Sequence, residues 1–149
     1  MADSATPATT TPWHLWVVGV VAVLWNTVGV LDFTLTQCHS EAWLKDFTPE
    51  QRAYIFSFPL WSVIAWGAGV YGGFVGSVLL LARSRWAVAV FRVSIAGAIV
   101  TMIYSHLINN GNKVMGGGPG PVIFSAVIVT LALLLWQYAR AMTRRGVLR

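Results

Sequence analysis

Four long apolar runs divide the chain, from about Trp13 to Leu35, Phe58 to Ala82, Ala87 to Ile108 and Val122 to Met142, with short polar breaks between them. Each run supplies the roughly 20 mostly apolar residues that a helix needs to cross the hydrocarbon core of a bilayer. As helices they would be apolar on every side. Such helices have no face for water and belong in lipid, where each backbone N–H and C=O is satisfied within the helix itself. The pattern predicts an all-α integral membrane protein, a bundle of four transmembrane helices over residues 13–142. Residues 1–12, rich in Ala, Ser, Thr and Pro, are expected to form a disordered tail, and residues 143–149 a basic one. The first residues lack the basic start of a cleaved signal peptide, so the first run is read as a retained helix.

The breaks carry local signals of their own. Thr48-Pro49-Glu50-Gln51 has an N-capping hydroxyl, a proline at the first helical position and a glutamine that closes a capping box. A short interfacial helix is therefore expected from Pro49 toward Pro59, in the first outer loop. Pro59 falls near the start of the second run, where a missing N–H costs little. The last break, Asn109 to Pro121, contains Gly116-Gly117-Gly118-Pro119-Gly120-Pro121. It lacks the Gly-Lys-Ser/Thr ending of a phosphate-binding loop and reads as a flexible connector.

Composition agrees with a lipid environment. The chain of 149 residues is 56% hydrophobic and 10% charged, with a mean hydropathy of +0.67, whereas soluble domains carry about 25% charged residues. The net charge of +5 does not mark a nucleic-acid face, because the basic residues sit at the ends of the apolar runs. It marks orientation instead. Arg83, Arg85, Arg140, Arg144, Arg145 and Arg149 fall on one side of the bilayer, and Lys45, Arg52 and Lys113 on the other. The arginine-rich side is expected to be cytoplasmic, with both termini there. Trp13, Trp16, Trp86 and Trp136 would form one interfacial belt, and Tyr54, Phe58 and Trp61 the other. Arg92, about two turns inside the third run, can snorkel to the arginine-rich side.

Small residues predict how the helices meet. Phe58, Ser62, Ala65, Gly69, Gly72, Gly76, Leu79 and Arg83 follow one heptad seam of the second run, and Gly69 and Gly73, like Gly72 and Gly76, stand in Gly-xxx-Gly pairs. The first run has Gly19, Ala22, Asn26, Gly29, Phe33 and Thr36. The third has Ser94, Ala98, Thr101, Ser105 and Ile108, flanked by Gly97 and Tyr104. The fourth run is almost wholly aliphatic and is expected to face lipid most, or to be an oligomer face.

Polar groups within a span are costly and each needs a purpose. Asp32, near the outer end of the first run, is a candidate solute or proton site, or else an interfacial carboxylate that ends the span. Asn26, deeper in the membrane, is either an interhelical hydrogen bond or a solute contact. Trp25, with Trp66 and Tyr71, lies away from the belts and could line a pocket. Trp61, Tyr104 and His106 complete the candidate set at the outer level. Cys38, His39 and Glu41 are close in sequence but too few and too unlike to define a metal site. The single cysteine excludes an internal disulfide. No nucleophile, base and orienting group stand together and no metalloprotease motif occurs, so no enzyme, cofactor or metal is expected.

Trp25-Asn26-Thr27-Val28-Gly29-Val30-Leu31-Asp32-Phe33 with Thr36-Gln37, then Phe47-Thr48-Pro49-Glu50-Gln51, Phe58-Pro59, and Gly72-Gly73 through Arg83-Ser84-Arg85-Trp86-Ala87-Val88 resemble an uncharacterised family of small four-helix bacterial inner-membrane proteins, often labelled sugar transporters. The resemblance implies an inner-membrane location and solute transport, and carries over no binding residue. Two functions are therefore expected to compete. One is a small-solute, sugar-like transporter acting as an oligomer, with Trp25, Asn26, Asp32, Trp61 and Tyr104 supplying aromatic faces and planar polar groups. The other is a non-catalytic accessory or scaffolding subunit whose glycine seams bind the helices of partner proteins. The expected partners are the lipid bilayer and either a second copy or other membrane helices, with no nucleic acid.

Overall fold

The computed structural model describes residues 10–149, so residues 1–9, where most of the expected disordered tail falls, lie outside it. The described chain forms α1 (Trp13–Gln37), α2 (Glu41–Leu44), α3 (Pro49–Phe56), α4 (Leu60–Leu81), α5 (Trp86–Ile103), α6 (Gly111–Val114) and α7 (Gly120–Arg144). A π-helical turn, Tyr104–Ile108, continues α5 without a break. Four of these elements, α1, α4, α5 with its π turn, and α7, are long and apolar enough to cross a bilayer. The protein is an all-helical, multi-pass membrane protein.

Prolines and glycines set the boundaries. Pro12 and Pro59 cap α1 and α4 in extended backbone, and α4 begins at Leu60, two residues later than its apolar run, because a residue that precedes proline is biased away from helix. Pro121 lies in the first turn of α7, where its missing N–H is one the helix would leave unpaired anyway. The capping box of α3 is complete: the Gln51 N–H donates to Thr48 Oγ1 at 3.2 Å, and the Thr48 N–H to Gln51 Oε1 at 3.0 Å. The one-turn helices α2 and α6 have no counterpart in the hydrophobic pattern. The connector after α6 turns through Gly116, Gly117 and Gly118 at φ of 111°, 70° and 76°, a region that only glycine enters freely.

α4 is the central helix, packed on α5 along one face and on α1 along another, and α7 leans on α5. The α4–α5 contact brings backbones together. A Cβ added at Gly69 would lie 3.1 Å from the Ala98 nitrogen, and one at Gly72 3.1 Å from the Ser94 Cβ. From the other side, a Cβ at Gly97 would strike the Ala65 carbonyl oxygen. Ser94 Oγ donates to the Gly69 carbonyl across this seam at 2.6 Å. Gly76 accommodates the Phe91 ring, while Gly73 turns to α1 and accommodates the Asn26 amide.

The apolar core sits at one end. Leu15, Leu80, Ala87, Phe91, Ala139 and Met142 bring all four spans together there. Beyond α7, Gly146 reverses the chain at φ 72°, and Val147 and Leu148 return to the same core. Arg149 is tied to the α4–α5 turn: its N–H donates to the Arg83 carbonyl at 2.8 Å, and the Arg85 N–H donates to its carbonyl at 2.9 Å. At this arginine-rich end His14 Nδ1 and Tyr138 Oη meet at 2.6 Å, which joins α1 to α7. Elsewhere α1 and α7 scarcely touch. The bundle is therefore closed at the arginine-rich end and spread toward the other, and α7 is the least buried span.

Candidate functional site

Where α1 and α7 part, a cavity of about 600 Å³ opens, walled by all four spans. Phe91 and Leu135, beside the apolar core, close its inner end. Ala98, Met102, Ile128, Val129 and Ala132 are among its apolar walls, and Gly29, Gly69 and Gly73 line it as well. The indoles of Trp25, Trp43 and Trp66 border it as well. Its polar groups are few: Asn26, Asp32, Ser94, Thr101, Ser105 and Ser125. Polar groups spaced along an apolar wall are typical of small-molecule sites.

Asn26 is held from two sides. Its Nδ2 donates to the Ala22 carbonyl at 2.8 Å and to Ser77 Oγ at 3.2 Å, and Ser77 Oγ in turn donates to the Gly73 carbonyl at 2.8 Å. The amide thus bridges α1 and α4 and still borders the cavity. Asp32 lies six residues on, about 9 Å further along the helix axis. Its Oδ1 accepts from Trp43 Nε1 at 3.1 Å. Among the described residues the only ion pair is Arg52 with Glu41, so no cation lies within 4 Å of the Asp32 carboxylate.

The position of Trp43 depends on residues distant in sequence. It lies on the single turn α2, which Leu44 anchors by burial. Arg52, on α3, donates to the Leu44 carbonyl at 2.6 Å and to Glu41 Oε2 at 2.8 Å. The exposed ion pair contributes little by itself. Together with the carbonyl contact it fixes α2 against α3, and so sets the indole beside Asp32.

The rest of the outer rim is braced from α3 and α6. Tyr54 Oη donates to the Ser105 carbonyl at 3.1 Å and lies 2.9 Å from Ser105 Oγ. Burial pushes the Tyr54 phenol above its ordinary range, against the smaller opposing effect of the Ser105 contact. His106, in the π turn, reaches Asn112 Oδ1 through Nδ1 and Ser125 Oγ through Nε2, each at 2.8 Å. A π turn re-aims side chains relative to a continuous α-helix, and here it directs one imidazole to both α6 and α7.

Of the six residues singled out in the sequence, Trp25, Asn26 and Asp32 line the cavity. His106 holds Ser125, a lining residue, but does not line the cavity itself. Trp61 and Tyr104 lie outside it, in an aromatic chain with ring centroids 5.1 Å apart for Trp61–Tyr104 and for Phe58–Tyr104. Tyr71 also lies apart and bonds Thr34 Oγ1 at 2.9 Å. Trp43 also lines the cavity and has no mark in the sequence, since one tryptophan in a polar loop carries no periodic signal. His39 stacks on Phe56 with centroids 4.1 Å apart, and among the described residues no three His, Cys, Asp or Glu side chains gather into a metal-binding group. Comparison with family models, with curated proteins and with solved structures finds no match.

Proposed function

We propose that the protein binds a small solute in the cavity between its four spans and, as an oligomer in a bacterial inner membrane with both termini cytoplasmic, transports it. The observation that carries this reading is the cavity itself, an apolar space with a carboxylate at its rim that no cation among the described residues pairs with. The lining also supports a chemistry for the solute. A sugar would bring several hydroxyls into a wall made mostly of carbon, and each unpaired hydroxyl is costly to bury. A solute with an apolar body and a cationic head suits the wall better. The Asp32 carboxylate supplies the counter-charge, and the faces of Trp25, Trp43 and Trp66 favour a cation over a neutral group.

The accessory-subunit reading drew on glycine seams free for the helices of other proteins. Gly69, Gly72, Gly76 and Gly97 are taken up by the α4–α5 contact inside one chain, so these seams lend it no support. Binding of tetraphenylphosphonium to purified protein, set against glucose and measured by equilibrium dialysis, tests the proposal. Asp32→Asn should leave the folded yield unchanged and weaken tetraphenylphosphonium about tenfold or more, the usual scale for losing a desolvated charge pair. Tighter glucose binding, or no binding of either probe, overturns the reading.

A further inference from the structure

Seven of the ten basic residues lie at the closed end of the bundle, and all seven are arginine, whereas both lysines lie toward the other end. The acidic residues of the described chain, Asp32, Glu41, Asp46 and Glu50, are also at the other end. Among the described residues these arginines therefore have no acidic side chain in ion-pair contact, and the only ion pair is the distant Arg52–Glu41. They are not evenly spread. Between the start of α5 and the end of α7 lies a cleft of about 460 Å³, lined by Arg85, Trp86, Val88, Arg140, Thr143 and Arg144. Beside it, Trp136 draws two guanidinium groups to one ring, that of Arg140 at 4.7 Å from the ring centroid and that of Arg92 at 5.9 Å.

Convergent like charges repel, and an anion placed among them removes that cost. The cleft lies where α5 begins and α7 ends, at the level where apolar spans give way to headgroups. The exposed Trp86 ring belongs to the same border. The Thr143 hydroxyl donates to the Ala139 carbonyl of its own helix at 2.9 Å, which leaves the guanidinium groups as the donors. A simple orientation bias would be met as well by lysine. Arginine alone offers a planar fork that binds two phosphate oxygens at once.

The geometry points to a binding site for the phosphate headgroup of an anionic phospholipid in this cleft, with Arg85, Arg140 and Arg144 as donors and Trp86 and Val88 against the apolar part of the lipid. α7 packs chiefly on α5, so a lipid in this position fastens the least buried span to the bundle. The site is independent of the solute cavity.

The test is native mass spectrometry of protein extracted from vesicles of equal phosphatidylglycerol and phosphatidylcholine, with thermal stability followed as each lipid is added. Phosphatidylglycerol should be retained in preference and should raise the melting temperature. The double variant R140K/R144K keeps the charge but loses the forks, and should retain roughly fivefold less phosphatidylglycerol. The control R145Q/R149Q removes two charges outside the cleft and should retain it as the wild type does. Equal retention of the two lipids, equal loss in both variants, or displacement by millimolar inorganic phosphate without lipid overturns the proposal.

Discussion

Asp32 and Tyr54 show how much a residue's role depends on what surrounds it. A carboxylate in an apolar run attracts notice in any sequence, because it is expensive in lipid. Whether it ends a span or faces a cavity depends on Trp43, eleven positions away, and on the Arg52 contacts that hold α2 in place. Tyr54 reads in the sequence as one more interfacial ring, yet it is buried and donates to the Ser105 backbone. Its phenol is raised above the ordinary value, so the folded state keeps the proton to higher pH than the unfolded state does. The stability it contributes is complete below about pH 10, the ordinary tyrosine value, and is lost as pH rises through the folded value. Tyr54→Phe should therefore melt lower than the wild type at pH 8, by roughly 1 kcal/mol for one hydrogen bond. That gap should narrow in melts recorded above pH 10. A gap that stays constant up to pH 11.5 would mean that the phenol does not titrate against the fold.

The spans follow from runs of apolar residues, and the four runs correspond to α1, α4, α5 with its π turn, and α7. The capping box of α3 was equally legible, because its signal lies within four adjacent residues. α2 and α6 were not, since a single turn gains little from propensity and forms only when tertiary contacts hold it. Leu44 and the Arg52 contacts do so for α2, and Gly111, packed under Tyr54 Oη, does so for α6. The glycine pattern marked α4 as a packing helix, but not which partner each glycine meets. Gly97 on α5 is the most constrained, because a Cβ there would meet the Ala65 oxygen and lie 2.6 Å from the Gly69 nitrogen, both backbone atoms that cannot swing away. Gly97→Leu should lose most of its detergent-stable protein in a size-exclusion profile, a cost of at least about 1–3 kcal/mol for overpacking. Val100→Leu, at an exposed position on the same helix, should resemble the wild type. Equal profiles for the two would remove the close α4–α5 contact.

At the scale of the molecule, the arginine bias and the spread of the bundle arise differently. With an even number of spans and an arginine-rich end that holds both the start of α1 and the end of α7, a fluorescent protein fused after Arg149 should fold and emit. A phosphatase inserted near Lys45 should be active outside. A dark C-terminal fusion with an active phosphatase at the same point would invert the orientation. The sequence by itself determined the number of spans, their rough limits, the distribution of charge between the two ends and the aliphatic character of the fourth run, which is the least buried span, because each follows from composition along a local stretch. Only the tertiary structure decided that α1 and α7 meet at one end and part toward the other. Contacts between residues far apart in sequence close one end, such as His14 with Tyr138 and the buried cluster that holds both Leu15 and Met142, and no local pattern encodes them. The cavity exists because of that divergence, and so does the selection of Trp25, Asn26 and Asp32, but not Trp61 and Tyr104, as its lining.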